Sequence, residues 1–131
     1  MPTFRSIVPN SLELLHSKRG HSPGVCVNGF LFVSGMLGRD RDLNVIPDPE
    51  EQLRQMFENF GLVLGEAGCG WADVVELTGY FIDLRRDFDL FMAVRDRYMG
   101  KPYPAMTMIG AAALAHRGLI CELKGTAKLR G

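Results

Sequence analysis

The chain has 131 residues, 47% hydrophobic and 23% charged, the balance of an ordinary folded domain. That length supports one domain, residues 1–131, able to bury roughly two-thirds of its unfolded surface. Fifteen basic residues offset fifteen acidic ones, which argues against a nucleic-acid footprint and against a membrane-surface patch.

The three cysteines, Cys26, Cys69 and Cys121, show no C-x-x-C spacing and sit among small or apolar neighbours, as reduced core cysteines do. The opening residues lack the basic-then-apolar pattern of a secretory leader. No apolar stretch approaches the ~20 residues that span a bilayer. The expected location is the cytoplasm.

Residues 1–19 are the least patterned part of the chain. The first strong signal is GVCVNGFLFVSG, two apolar runs over 24–27 and 30–34 around Asn28-Gly29, the pair favoured in a type I′ hairpin turn. The loop MLGRDRDLNVIP follows, and its alternating charges, Arg39 to Asp42, read as a solvated loop. A helix then announces its own start. Asp48 suits the N-cap, Pro49 the first helical position, and Glu51 the reciprocal capping carboxylate. Leu53, Met56, Phe57, Phe60, Val63, Leu64 and Ala67 recur at helical spacing, and Gly68 supplies a left-handed stop. About 27 Å long at 1.5 Å per residue, this helix can cross one face of a sheet. Trp71 reads as a packing anchor. A strand over 75–82 leads to a second helix from near Asp87 through Phe88, Phe91, Val94 and Tyr98, stopping at Gly100 before Pro102. Strands over 105–112 and 119–129 complete the chain. The order predicts an α+β fold, a mixed sheet with two helices on one face.

The last strand carries the first candidate for chemistry. Leu119, Cys121, Leu123, Gly125, Ala127 and Leu129 fall on one face, and Ile120, Glu122, Lys124, Thr126 and Lys128 on the other. Alone, that pattern sends Glu122 to water. The strands near 75–82 and 105–112 nevertheless read as apolar on both sides, and two helices cover only one sheet face. A second apolar face must be buried against something. Another copy of the chain is the expected cover, which turns the Glu122 face into an interface, where a carboxylate is costly unless paired or used. Ser34-Gly35 ends a hairpin strand, where a hydroxyl and free amides can meet a ligand. The histidines, His16, His21 and His116, are scattered and make no metal site. GEAGCGW lacks phosphate-loop spacing and reads as a helix stop.

The stretches GFLFVSGMLGRD, QLRQMFENFGLVLGEAGCGWADVVELTGYFIDLRRDF and YPAMTMIGAAALAHRGLICELKGTA, in that order and separation, resemble the RidA (YjgF-type) family over about residues 20–128. The resemblance implies a chorismate-mutase-like fold assembled as a homotrimer, its sheets forming an inner barrel and its small-molecule pockets lying between subunits. It implies hydrolysis of reactive enamines and imines to a carbonyl compound and ammonia, without a cofactor. Carried over, the water-handling glutamate is Glu122 and the pocket's serine–glycine pair is Ser34 and Gly35. The family's carboxylate-gripping arginine falls on Met106, within Pro104-Ala105-Met106-Thr107. Its tyrosine falls on His21 and its asparagine on Met92, with Met108 beside Met106 on the same strand. Losing a bidentate arginine removes on the order of 1.5–3 kcal/mol of anion binding, and methionine offers only a soft apolar wall. Altered specificity follows, with 2-aminoacrylate a poor substrate. Arg19, Arg39, Arg117 and Lys124 are all open as a relocated anchor. The alternative function is a non-catalytic metabolite-binding trimer of the same fold.

Overall fold

The computed structural model describes residues 3–131. Asn28 and Gly29 take positive φ, 51° and 83°, the left-handed pair that a type I′ turn requires. They join β2 (Gly24–Val27) to β3 (Phe30–Leu37) in the expected hairpin. β3 runs three residues beyond the expected end at Ser34. It passes through a bulge, where Val33 pairs with Gly125 but Met36 pairs with Leu123. The extra residue opposite the partner strand bends β3 at Ser34-Gly35.

The longer helix, α2, spans Pro49–Glu66. The Asp48 side chain accepts the Glu51 N–H at 3.1 Å, and Gly68 at φ 77° turns the chain out of the helix. Glu51 does not close a capping box, because its carboxylate is held by Arg54 at 2.9 Å. The second helix, α3, spans Leu84–Arg95 and begins earlier than expected. Asp83 is its cap, accepting from the Arg86 N–H, while Asp87 is a buried residue of the first turn paired with Arg86. Beyond Arg95 the backbone tightens, Arg97 N–H to the Val94 carbonyl and Tyr98 N–H to that of Arg95, and the helix ends short of Gly100.

β4 (Val74–Phe81), β5 (Ala105–Gly110) and β6 (Cys121–Lys128) complete the sheet with β1 (Arg5–Ile7). Its order is β1-β2-β3-β6-β4-β5, antiparallel except for the parallel pair β4–β5. The sheet is mixed, as expected. The strand β1 and the short helix α1 (Glu13–Ser17) arise from the weakly patterned N-terminal segment. β1 is three residues long and held by pairing with β2, too short for periodicity to reveal.

Both helices cover one face. Leu53, Met56, Phe57, Phe60, Val63 and Leu64 of α2 and Phe91 and Val94 of α3 pack on Leu31, Val33, Leu77, Phe81, Cys121, Leu123 and Ala127 of the sheet. Trp71 stacks on Phe60 at 5.0 Å between ring centroids, a packing anchor as expected. All three cysteines are buried and unpaired.

The other face is open and amphipathic rather than uniformly apolar. Phe30, Phe32 and Ile109 lie exposed at 38–48%, yet Thr126 donates to Glu76 across the strands at 3.0 Å. The apparent two-sided apolarity of β5 resolves once register is known. Met106 lies opposite the core residue Leu77, so Met106 and Met108 pack toward the helices while Ala105, Thr107 and Ile109 face outward. Among the described residues no helix is long and apolar enough to cross a membrane.

Candidate active site

β6 alternates as the sequence predicts: Cys121, Leu123, Gly125 and Ala127 are buried, and Glu122 projects from the opposite, open face. Glu122 lies opposite Leu37 of β3 on one side and Tyr80 of β4 on the other. The β3 bulge brings Gly35 directly beneath its carboxylate. A methyl group added at Gly35 would overlap the carboxylate itself. Glycine at this point leaves the space the carboxylate occupies.

The carboxylate is half-buried, and among the described residues it makes neither an ion pair within 4.0 Å nor a side-chain hydrogen bond. Burial raises its pKa above the ordinary glutamate value, opposed by the charges of Arg39, His21 and Lys124. An unpaired, partly desolvated carboxylate facing a hollow is a structurally costly arrangement that suits proton transfer. One hollow beside it is walled by Arg19, His21, Ser34, Leu37 and Arg39, with Ala115 and His116 at the rim. A second, on its other side, is walled by Tyr80, Lys124 and the alanine-rich segment from Ala111 to Ala115. Glu122 lines both hollows.

Ser34 lines the first hollow but is not a free hydroxyl. Its Oγ–H donates to the Ser22 carbonyl at 2.6 Å, and its backbone N–H to the Pro23 carbonyl at 2.9 Å. Ser34 therefore clamps the segment that carries His21, leaving oxygen lone pairs as its remaining capacity. His21 is exposed at the mouth of the hollow. Strand 105–112, as read from the sequence, ends at Gly110, and residues 111–120 form a loop that walls both hollows.

The methionines are elsewhere. Met92, Met106 and Met108 are partly buried against the core on the helix side, next to the sheet edge formed by β5. Within one chain the candidate residues thus split into two sets on opposite faces of the sheet. Glu122, Ser34, Gly35 and His21 come together; the methionines do not join them.

Two further residues build the site from α2. Gln52 is buried, its amide nitrogen donating to the carbonyls of Ile46 and Gly118 at 2.9 Å each, and its oxygen accepting the Ile120 N–H at 2.7 Å. Asn59 is buried two turns further along the same face, donating to the carbonyls of Leu37 and Arg39 at 2.8 and 2.9 Å. Together they tie the Arg39 loop and the 111–120 loop to the core. Their signal in the sequence is position: Gln52, Met56, Asn59 and Val63 share one stripe, and a polar residue inside an apolar stripe needs a buried partner. The loop is solvated at Arg41 and Asp42, as expected, and Asp40 organises it by accepting the N–H groups of Asp42 and Asn44. Arg39 departs from that reading. It is 7% exposed.

Among the described residues no group of three or more His, Cys, Asp or Glu side chains is placed to hold a metal ion. Comparison with known proteins places the chain in a family. A family model described as Endoribonuclease L-PSP matches residues 13–129. The RutC family protein YjgH of Escherichia coli is 30% identical over 125 residues, covering 95% of this chain and 94% of its own. The 2-iminobutanoate/2-iminopropanoate deaminase of Bos taurus is 30% identical over 102 residues, 76% of this chain and 74% of that one. A solved structure of YjgH superposes with a TM-score of 0.91 at 28% identity over 99% of both chains. RidA from an Antarctic Psychrobacter superposes at 0.81 and 26% identity, over 98% of this chain and 100% of that one. By sequence, fold and the placement of its strands, the chain belongs to the RidA/YjgF family, the family of the Endoribonuclease L-PSP model.

Proposed function

We propose that this protein is a hydrolytic deaminase of reactive imines and enamines, converting them to a carbonyl compound and ammonia. One observation carries the reading: an unpaired carboxylate with a raised pKa, seated over a glycine in an open hollow. Two curated relatives, of Bos taurus and Homo sapiens, bear the name 2-iminobutanoate/2-iminopropanoate deaminase, at 30% and 28% identity.

Glu122 accepts a hydrogen bond from water and takes a proton as the water oxygen adds to the imine carbon. The C=N bond becomes C–N, and the nitrogen gains a proton. The resulting carbinolamine expels ammonia as its hydroxyl proton leaves and C=O forms, so one water is consumed for each ammonia released. Burial raises the pKa of this carboxylate, which makes it a stronger base than an ordinary glutamate, a shift in the direction general acid–base catalysis favours. An enamine enters the same path after protonation at carbon.

The reading includes a homotrimer. The open face with Phe30 and Phe32 is the surface that self-association covers. Met92, Met106 and Met108 of one subunit then close the hollow of the next and give it an apolar wall. Methionine at position 106 makes 2-aminoacrylate a poor substrate and favours larger, less polar imines.

The test is ammonia release from imines made in situ by an amino acid oxidase, across small, acidic, aromatic and long apolar side chains, with wild type and Glu122→Ala compared. Acceleration lost in a folded Glu122→Ala supports the deaminase. No acceleration by wild type on any imine overturns it in favour of a metabolite-binding protein of the same fold. Light scattering measures the subunit number.

A further inference from the structure

Arg39 is the most unusual charge in the chain. It is 7% exposed, and among the described residues it makes no ion pair within 4.0 Å and no side-chain hydrogen bond. Yet none of the described buried side-chain nitrogens is both sealed from the surface and unpartnered. The free donors of the guanidinium therefore reach open space; Arg39 lines two hollows, one of them the hollow that holds Glu122, where it feels the charges of Arg19 and Glu122. A buried arginine left without a carboxylate costs stability, and five N–H donors in a planar fork match an incoming carboxylate.

The surroundings hold this arginine in place and reserve it for a ligand. Its backbone is fixed on both sides, the carbonyl accepting from Asn59 at 2.9 Å and the N–H donating to the Leu37 carbonyl at 2.9 Å. Arg19 lines the same hollow and is close enough for its charge to disfavour that of Arg39. Glu122 is the one acidic side chain on that wall, and it lies beyond ion-pair distance. Two guanidinium cations facing one carboxylate leave a net positive hollow, which a single bound anion neutralises.

We infer that Arg39, assisted by Arg19, is the anchor for the substrate's carboxylate, which makes the preferred substrates 2-imino acids bound by the same subunit that supplies Glu122. This rests on the deaminase reading and adds to it the anion's position. The carboxylate sits on the Arg39 side of the hollow, and the imine carbon lies toward the water held by Glu122. The apolar side chain is left to face the methionine wall. The same subunit thus binds the acid group and activates the water, with position 106 free of any role in charge recognition.

Two measurements separate this inference from the reading beneath it. The first is equilibrium binding of 2-oxobutanoate, a carboxylate product analogue, to wild type, Arg39→Met and Arg39→Lys by calorimetry. Loss of one bidentate charged contact is expected to weaken binding about ten- to a hundredfold in Arg39→Met, less in Arg39→Lys, and about threefold in Arg19→Gln. The second is the ratio of kcat/KM for a 2-imino acid to that for the carboxylate-free imine that a flavin amine oxidase makes from benzylamine. That ratio is expected to fall at least tenfold in Arg39→Met. Melting temperature and subunit number report whether Arg39 is structural. A functional charge predicts an unchanged or raised Tm on its removal.

Binding and ratio both unchanged within twofold in a folded Arg39→Met overturn the inference. So does an Arg39→Met protein that dissociates or melts well below wild type while the conservative Arg39→Lys restores assembly but not anion binding. Arg39-dependent binding of 2-oxobutanoate by a protein that accelerates no imine would uphold the anchor and refute the deaminase. Acceleration of imines with no dependence on Arg39 would do the reverse.

Discussion

The two faces of β6 are built from alternate residues of one strand, and they obey opposite rules. On the covered face Cys121, Leu123, Gly125 and Ala127 meet the helices, and among the described residues no sealed side-chain nitrogen or oxygen lacks a partner. On the open face Glu122 has no side-chain partner among the described residues, and neither has Arg39, which lines the same hollow; Glu122 sits above a bulge in β3. The same contrast appears in two glycines. A methyl at Gly125 would strike the Glu76 carbonyl, the Leu77 side chain and the Phe60 ring, so that glycine serves close packing. The atoms nearest a methyl at Gly35 are those of the flexible end of Glu122, so that glycine leaves room for the carboxylate. One face is organised for stability, and the other retains groups that stability alone would remove.

Substitutions sharpen or break that contrast. The largest effect belongs to Glu122→Gln, which is expected to lower kcat on imines by about 10²–10⁴ while leaving Tm equal to or above that of wild type. Equal activity in a folded Glu122→Gln would place the chemistry elsewhere. Phe57→Ala, on the covered side, is expected to cost about 3–5 kcal/mol of unfolding free energy, measured by urea denaturation, because a fully buried ring leaves a cavity. Gly35→Ala is expected to displace the carboxylate by an ångström-scale shift, lowering kcat by about a hundredfold with little change in Tm. Gly125→Ala is expected to do the converse, costing about 1–3 kcal/mol and leaving the catalytic rate of the folded fraction intact.

The smallest effect is in pH dependence. Burial raises the Glu122 pKa in the folded protein, so the folded state binds that proton more tightly than the unfolded state does. This group therefore destabilises the protein progressively as pH rises from the ordinary glutamate value through the raised one, and not below that window. The Tm advantage of Glu122→Gln should accordingly be absent at about pH 4 and grow toward pH 7. Activity should rise across the same window as the carboxylate ionises. A Tm difference independent of pH would mean that the substitution acts through packing.

Much of the fold was legible because its signals are local. The Asn28-Gly29 turn, the Asp48-Pro49 start of α2 and its Gly68 stop, and the alternation along β6 each depend on residues within a few positions of one another. β1 escaped because three residues carry no period, and the start of α3 shifted because Asp83 and Asp87 offer the same capping chemistry four residues apart. Part of the 111–120 loop reads as strand, because AAALA is apolar enough for one; its path is held by Gln52, 68 positions from its partner Ile120 in the chain.

The site divides along the same line. Local pattern is enough to turn Glu122 away from the core, since a period of two forces the face once Leu123 is buried. The hairpin signal also draws attention to Ser34-Gly35, although the strand continues past them to Leu37 and the pair lies at its bulge. The surroundings of those positions come from tertiary structure. Only strand pairing reveals the bulge that seats the carboxylate over Gly35, and only the sheet's two faces separate the methionines from Glu122. Only the packing of α2 turns Arg39 from one charge in an alternating loop into a buried cation facing the hollow. Burial and charge environment are sums over neighbours distant in sequence, and local pattern cannot contain them.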